Sequence, residues 1–168
     1  MRSYYLTIRL ALIVLALFPT LWGLFSFLNN VSGFEGTAKF AVAPMLAMTD
    51  TYGNPAQTWR AISAPWAAQV GLVMITATET LAGLLGLWSI IKMARALKAE
   101  YPVFASAKIP LILSCVAAVS AWGLGFMVVA GDWFLAWQSK GALATQLGGM
   151  IYTLPCFLVL IAAIVHKE

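Results

Sequence analysis

Residues Ile109–Ala130 read IPLILSCVAAVSAWGLGFMVVA, a stretch without one charged side chain. Crossing the hydrocarbon core of a bilayer takes about 20 apolar residues in a helix. The run has that length and lacks the alternation a barrel strand would show. Pro110 falls in its first turn, where a missing N–H costs little. Working outward, three more runs of this kind appear, at about 10–28, 66–91 and 143–165. Pro19 should kink the first, and Pro155 lies inside the last. The expected fold is an all-α membrane protein, a single domain over 1–168 built as a four-transmembrane-helix bundle. Short interfacial helices are expected in the outer segments 29–65 and 131–142.

Composition agrees with that reading. The chain of 168 residues is 62% hydrophobic and 10% charged, whereas soluble domains carry about 25% charged residues. So short a chain cannot hide that much apolar surface from water. Arg2 and Arg9 ahead of the first run would also suit a secretory signal. The run is long and ends in Trp22, Phe25 and Phe27 without a small-residue cleavage site, so a retained helix is expected. The net charge of +4 forms no basic face, which argues against nucleic acid.

The basic residues sort by side. Arg2, Arg9, Lys92, Arg95, Lys98, Lys108 and Lys167 flank one side of the spans; Lys39, Arg60 and Lys140 flank the other. The positive-inside rule places the seven in the cytoplasm. Both termini are then expected inside, in a bacterial inner membrane.

Helices in lipid associate through close backbone contact and not through a hydrophobic difference. Ala117, Ala121 and Gly125 recur every four residues in the third span, and Ala82 and Gly86 do so in the second. These are the expected helix-packing positions, within the chain or in a homo-oligomer.

Glu79 sits near the middle of the second span. A charge at that depth costs about 2.5–3.5 kcal/mol, and an intramembrane acid is a functional candidate by default. No cation lies inside any of the four apolar runs, so a protonated Glu79 donating to Ser114, Ser120, Tyr152 or a backbone carbonyl is expected. Trp59, Arg60 and Asp50 in the first outer segment, and Asp132, Trp133 and Trp137 in the second, complete the candidate functional residues. Asn54-Pro55 reads as a helix start that would place Trp59, Ile62 and Trp66 on one face. A helix through 131–140 would put Trp133 and Trp137 on one side. Tryptophan favours the headgroup level, which makes these residues an anchoring belt or a docking lid. Asp50, Arg60 and Asp132 could converge at that surface.

Other chemistries lack their residues. His166 is the only histidine, so multi-histidine metal and haem sites are not available within one chain. Cys115 and Cys156 lie in apolar runs without C-x-x-C spacing and read as small buried side chains. Gly123-x-Gly125 lies within an apolar helix and reads as packing. No cofactor is expected; bound lipid is.

Several pieces together resemble a bacterial family of predicted small integral membrane proteins of unknown function. They are Asn29-Asn30, Met48-Thr49-Asp50-Thr51, Trp59-Arg60-Ala61-Ile62, Glu79, and Gly131-Asp132-Trp133-Phe134 through Trp137-Gln138-Ser139. The resemblance implies the four-span plan and an important outer face, and it supplies no reaction. A non-enzymatic accessory or assembly subunit is the leading functional expectation. It would bind a larger membrane complex through helix faces and the aromatic outer segments. The alternative is a small-molecule or ion carrier or sensor that uses Glu79.

Overall fold

The computed structural model describes residues 2–168, and among them helices and turns account for the whole architecture, without a strand. Four helices are long and apolar enough to span a membrane: Ser3–Ser32, Ala67–Arg95, Tyr101–Trp133 and Lys140–Val165. The first is made of α1 (Arg2–Leu15) and α2 (Leu17–Ser32). They part at Ala16 because Pro19 has no N–H to return to the Leu15 carbonyl. Thr20 mends the turn by donating its hydroxyl to Ala16 O at 2.6 Å. The second span is α6 (Ala67–Arg95), 29 residues or about 43 Å long. The third joins α7 (Tyr101–Ala107), α8 (Ile109–Ala118) and a π-helical segment, Val119–Trp133. The fourth is α9 (Lys140–Val165).

The start of α1, residue 168 and the 96–100 turn share one end of the bundle, where Arg9 meets Glu168 and the carbonyls of Ala96, Leu97 and Ala99. We call this the terminal end and its opposite the capped end. The helices run beyond the apolar runs at the terminal end because Arg9 and Lys108 are buried and satisfied there.

The core stacks in layers. At the terminal end Leu12, Met93, Phe104, Leu111 and Val159 are buried together. Ala82, Ala117, Ala118, Ala121, Trp122 and Cys156 form the middle, and Ala38, Val42, Ala68 and Leu72 the layer beneath the cap. Apolar side chains such as Val14, Phe25, Leu84 and Leu158 point outward and stay exposed, as a lipid-facing surface requires.

The small residues set the helix spacing. Gly23 of α2 lies against the Glu79 carbonyl and the backbone of Gly83, and a Cβ on Gly83 would sit 2.8 Å from Leu24 N. Gly86 faces Thr20 and Ser114. Ala82, Ala117 and Ala121 are buried inside the chain. Gly125 is only half-buried, and close approach to α9 is made at Gly123, beside Thr153, and at Gly149, beside Trp122 O.

The capped end differs in detail from the sequence expectation. Residues 34–46 are helical throughout, as α3 (Phe34–Thr37), a π-helical turn Ala38–Val42 and α4 (Ala43–Leu46). Asn54 does cap α5 (Pro55–Thr58), accepting from Ala56 N at 3.0 Å. That helix stops after one turn, so Trp59, Ile62 and Trp66 do not share a helical face. Pro65 disfavours helix at Ala64, and the Ile62 N–H donates to Leu46 O at 2.8 Å. Leu135 adopts a left-handed φ of 56°, which ends the π-helical segment and sets Trp133 and Trp137 in different elements. Met48, also left-handed at 53°, packs with Phe134 and Leu135 and so joins the two outer segments into one cap.

Candidate functional site

Glu79 lies on the inward face of α6, 4% exposed. Its two oxygens take one N–H each: Trp122 Nε1 donates to Oε1 at 2.7 Å, and Asn30 Nδ2 donates to Oε2 at 2.9 Å. Three elements therefore converge on it: α6, the end of α2, and the π-helical segment. The Trp122 ring is held in turn by Trp22, with centroids 6.1 Å apart, and by Tyr152 of α9 at 5.4 Å. Trp22 and Tyr152 meet edge-on at 4.8 Å, a favoured aromatic geometry.

The partners expected from the sequence are engaged elsewhere. Ser114 donates to Ala82 O at 2.6 Å, nearer the terminal end, and Ser120 donates back to Val116 O within its own helix. Tyr152 presents its ring. A signal for the true partners was present: Trp122 stands in the interior of an apolar run, where its N–H has no headgroup to meet and needs a buried acceptor.

Beside Glu79 lies a cavity of about 190 Å³ between α2, the 37–45 helix, α6, the π-helical segment and α9. Ser26, Asn29, Asn30, Thr37 and Thr145 supply polar groups, and Val42, Met45, Leu72, Ile75 and Phe126 supply apolar wall. A pocket that is mostly apolar with a few convergent polar groups is the usual form of a small-ligand site.

The remaining candidate residues assemble the cap. The Arg60 guanidinium sits 5.1 Å over the Trp133 ring and donates from Nη2 to the Asp132 backbone carbonyl at 3.2 Å. Trp59 packs edge-on against Trp133 at 6.0 Å. Trp137 does the same with Tyr52 at 5.9 Å, and Tyr52 N–H donates to Gln138 Oε1 at 3.1 Å. Arg60 and Asp132 thus meet through main chain, not as an ion pair. Asp50 is apart from them and lines a second cavity at the capped end.

One charged group went unread in the sequence. At the terminal end Arg9 Nε donates to Glu168 Oε1 at 2.7 Å and Nη2 to Oε2 at 2.5 Å. Lys108 Nζ donates to the carbonyls of Ala163 and His166 and lies 3.2 Å from His166 Nδ1. Tyr101 donates its hydroxyl to His166 O at 2.8 Å. The hydrogen bond from Arg9 holds the Glu168 carboxyl below its ordinary value. Burial, with the Lys108 charge adding to it, pushes the His166 imidazole down. His166 Nε2 lies 3.4 Å from Glu168 Oε1 without hydrogen-bond geometry. Arg9, Lys108 and His166 lie at run ends, which in a sequence reads as topology alone.

No curated protein and no solved structure matches the chain. One family description does, predicted small integral membrane protein (DUF2165), and it matches residues 8–165. With four apolar spanning helices around it, that match makes the chain a member of this family of small integral membrane proteins, whose function is unknown.

Proposed function

We propose that the chain is a carrier for a small polar solute or ion, with Glu79 at its binding site. One observation carries the reading: a buried carboxylate, aimed by two N–H donors, borders a half-open cavity with five other polar side chains between the helices. A purely structural acid would suit a dry contact between helices. The seven-to-three division of basic residues supports an orientation with the terminal end in the cytoplasm, and the bacterial inner membrane is the setting we propose.

Proteoliposomes test the carrier. Uptake of methylammonium, acetate and glycerol samples a cation, an anion and a neutral solute of suitable size. Flux of at least one is expected in the native protein, and Glu79→Gln should reduce it by about tenfold or more, as loss of a buried charged partner costs at least 1.4 kcal/mol. Equal flux in the variant, or none in either protein, overturns the proposal.

A second reading, the accessory subunit, draws on the cap, where Trp59, Trp133, Trp137 and Tyr52 keep about half or more of their surface exposed. The small-residue faces offer it little support, being largely used within the chain. Purification in mild detergent should then yield a co-purifying membrane protein that Trp59→Ala with Trp137→Ala releases; a lone monomer removes this reading.

A further inference from the structure

The Glu79 cavity has a neighbour. A second cavity of about 180 Å³ lies at the capped end, between the 40–51 segment, the Phe134–Ser139 turn and the start of α9. The two share Ala41, Met45 and Thr145 as walls. The outer one holds Asp50, Thr51 and Ser139, and the inner one ends at Glu79. The two cavities are lined by two carboxylates and several hydroxyl and amide groups, and by no Lys, Arg or His. That is notable in a chain of net charge +4. Toward the terminal end the inner cavity is closed, since Gly23 meets the Glu79 carbonyl and Gly83 directly, and Trp122 with Trp22 and Tyr152 fills the level of Glu79.

We propose that these cavities form a one-sided route from the capped end to Glu79 for a small monovalent cation, with the Met45 side chain as its gate. This rests on the Glu79 binding site described above. Asp50 draws the cation in, since a cleft lined by one sign of charge raises the local concentration of counter-ions. Met45 belongs to both walls, and its unbranched thioether moves between rotamers at little cost. The Ser139 hydroxyl already accepts from Ala142 N at 3.2 Å, so the start of α9 presents one fewer free N–H to the route. The inner volume of about 190 Å³ is below the 300–1,000 Å³ of drug-sized sites, which keeps the ligand small, and the two carboxylates without a facing cation favour a positive one.

Thiol labelling tests the route in the full chain. Cys115 and Cys156 are fully buried, and the native protein measures their background. Thr145→Cys places a thiol on the shared wall. In oriented vesicles it is treated with methanethiosulfonates carrying either a trimethylammonium or a neutral hydroxyethyl group, with rates normalised to a free thiol. The cationic reagent is expected to react about tenfold faster than the neutral one, from the face opposite to the one that labels Lys98→Cys. Adding Glu79→Gln should lower that preference, adding Asp50→Asn as well should abolish it, and the neutral rate should stay unchanged in both, which also shows that the variants are folded. Met45→Ala should raise both rates.

Equal rates for the two reagents, a preference that Glu79→Gln leaves undiminished, or reaction only from the Lys98→Cys face overturns the route. Methylammonium flux lost in Glu79→Gln without charge preference at position 145 sinks the route and leaves the carrier. Charge preference without any flux leaves the route and sinks the carrier.

Discussion

Gly83→Leu is expected to prevent the bundle from forming. A Cβ at this position would lie 2.8 Å from Leu24 N and 3.0 Å from the Leu24 side chain. The neighbour is backbone on one side, which cannot rotate away. α2 and α6 would have to separate, and with them the Gly23 contact and the Thr20–Gly86 contact one turn further along. Overpacking that forces side chains off their rotamers and shifts backbone costs about 1–3 kcal/mol and occasionally more, and a leucine that meets backbone belongs at the upper end of that range. The readouts are a monodisperse peak in detergent and a thermal unfolding curve. Gly36→Ala is the control, because nothing lies within 4 Å of a Cβ there. A Gly83→Leu protein that melts like the native one would refute the close crossing.

Arg9→Ala should also be strongly damaging. The guanidinium is 7% exposed and faces a carboxylate that is 9% exposed, and its Nη1 donates to three carbonyls. Removing one member of a buried pair costs about 3–5 kcal/mol because the other charge is left without a partner. Replacing both, as Arg9→Met with Glu168→Met, should recover much of that loss, and a double-mutant cycle measures the coupling. Acid should weaken the same cluster. Both His166 and Glu168 titrate below their ordinary values in the folded protein, so the unfolded chain binds more protons in the intervening pH range. The stability these two groups contribute is therefore full above about pH 7 and falls on acidification, through His166 below its ordinary value of 6.5 and then through Glu168 below 4.5. The difference in unfolding temperature between the native protein and a variant carrying His166→Gln and Glu168→Gln should follow this course, and only the lower step should remain when Glu168→Gln alone is the reference. A difference that stays flat from pH 7 to 4 would contradict it.

The spans were legible in the sequence because a run such as Ile109–Ala130 admits one solution in lipid: every backbone group must be bonded within its own helix. Glu79 was legible for the same reason, as a polar group in a place that penalises it. Its partners were not. Hydrogen bonds from Asn30 and Trp122 span 49 and 43 residues, and hydropathy carries no information about which helices become neighbours. The outer segments were half legible. The Asn54 cap is local chemistry and can be read from adjacent residues. The stop at Thr58 and the separation of Trp133 from Trp137 depend on Pro65 and on a left-handed Leu135 that packing with Met48 and Phe134 imposes. Arg9 showed most clearly where the reading ends. In the sequence it marks a side of the membrane, and in the structure it is a buried member of an ion pair.

That pair has a consequence for biosynthesis. Arg9 and Glu168 are 159 residues apart, so the first helix leaves the ribosome long before its counter-charge exists. Throughout insertion of the second and third helices the guanidinium would then be expected to stay hydrated at the bilayer surface, where a positive charge resists translocation. Only when the fourth helix is threaded does the carboxylate arrive and withdraw it from water. One side chain would thus serve first as an orienting charge and then as a clasp between the first and last of the four helices.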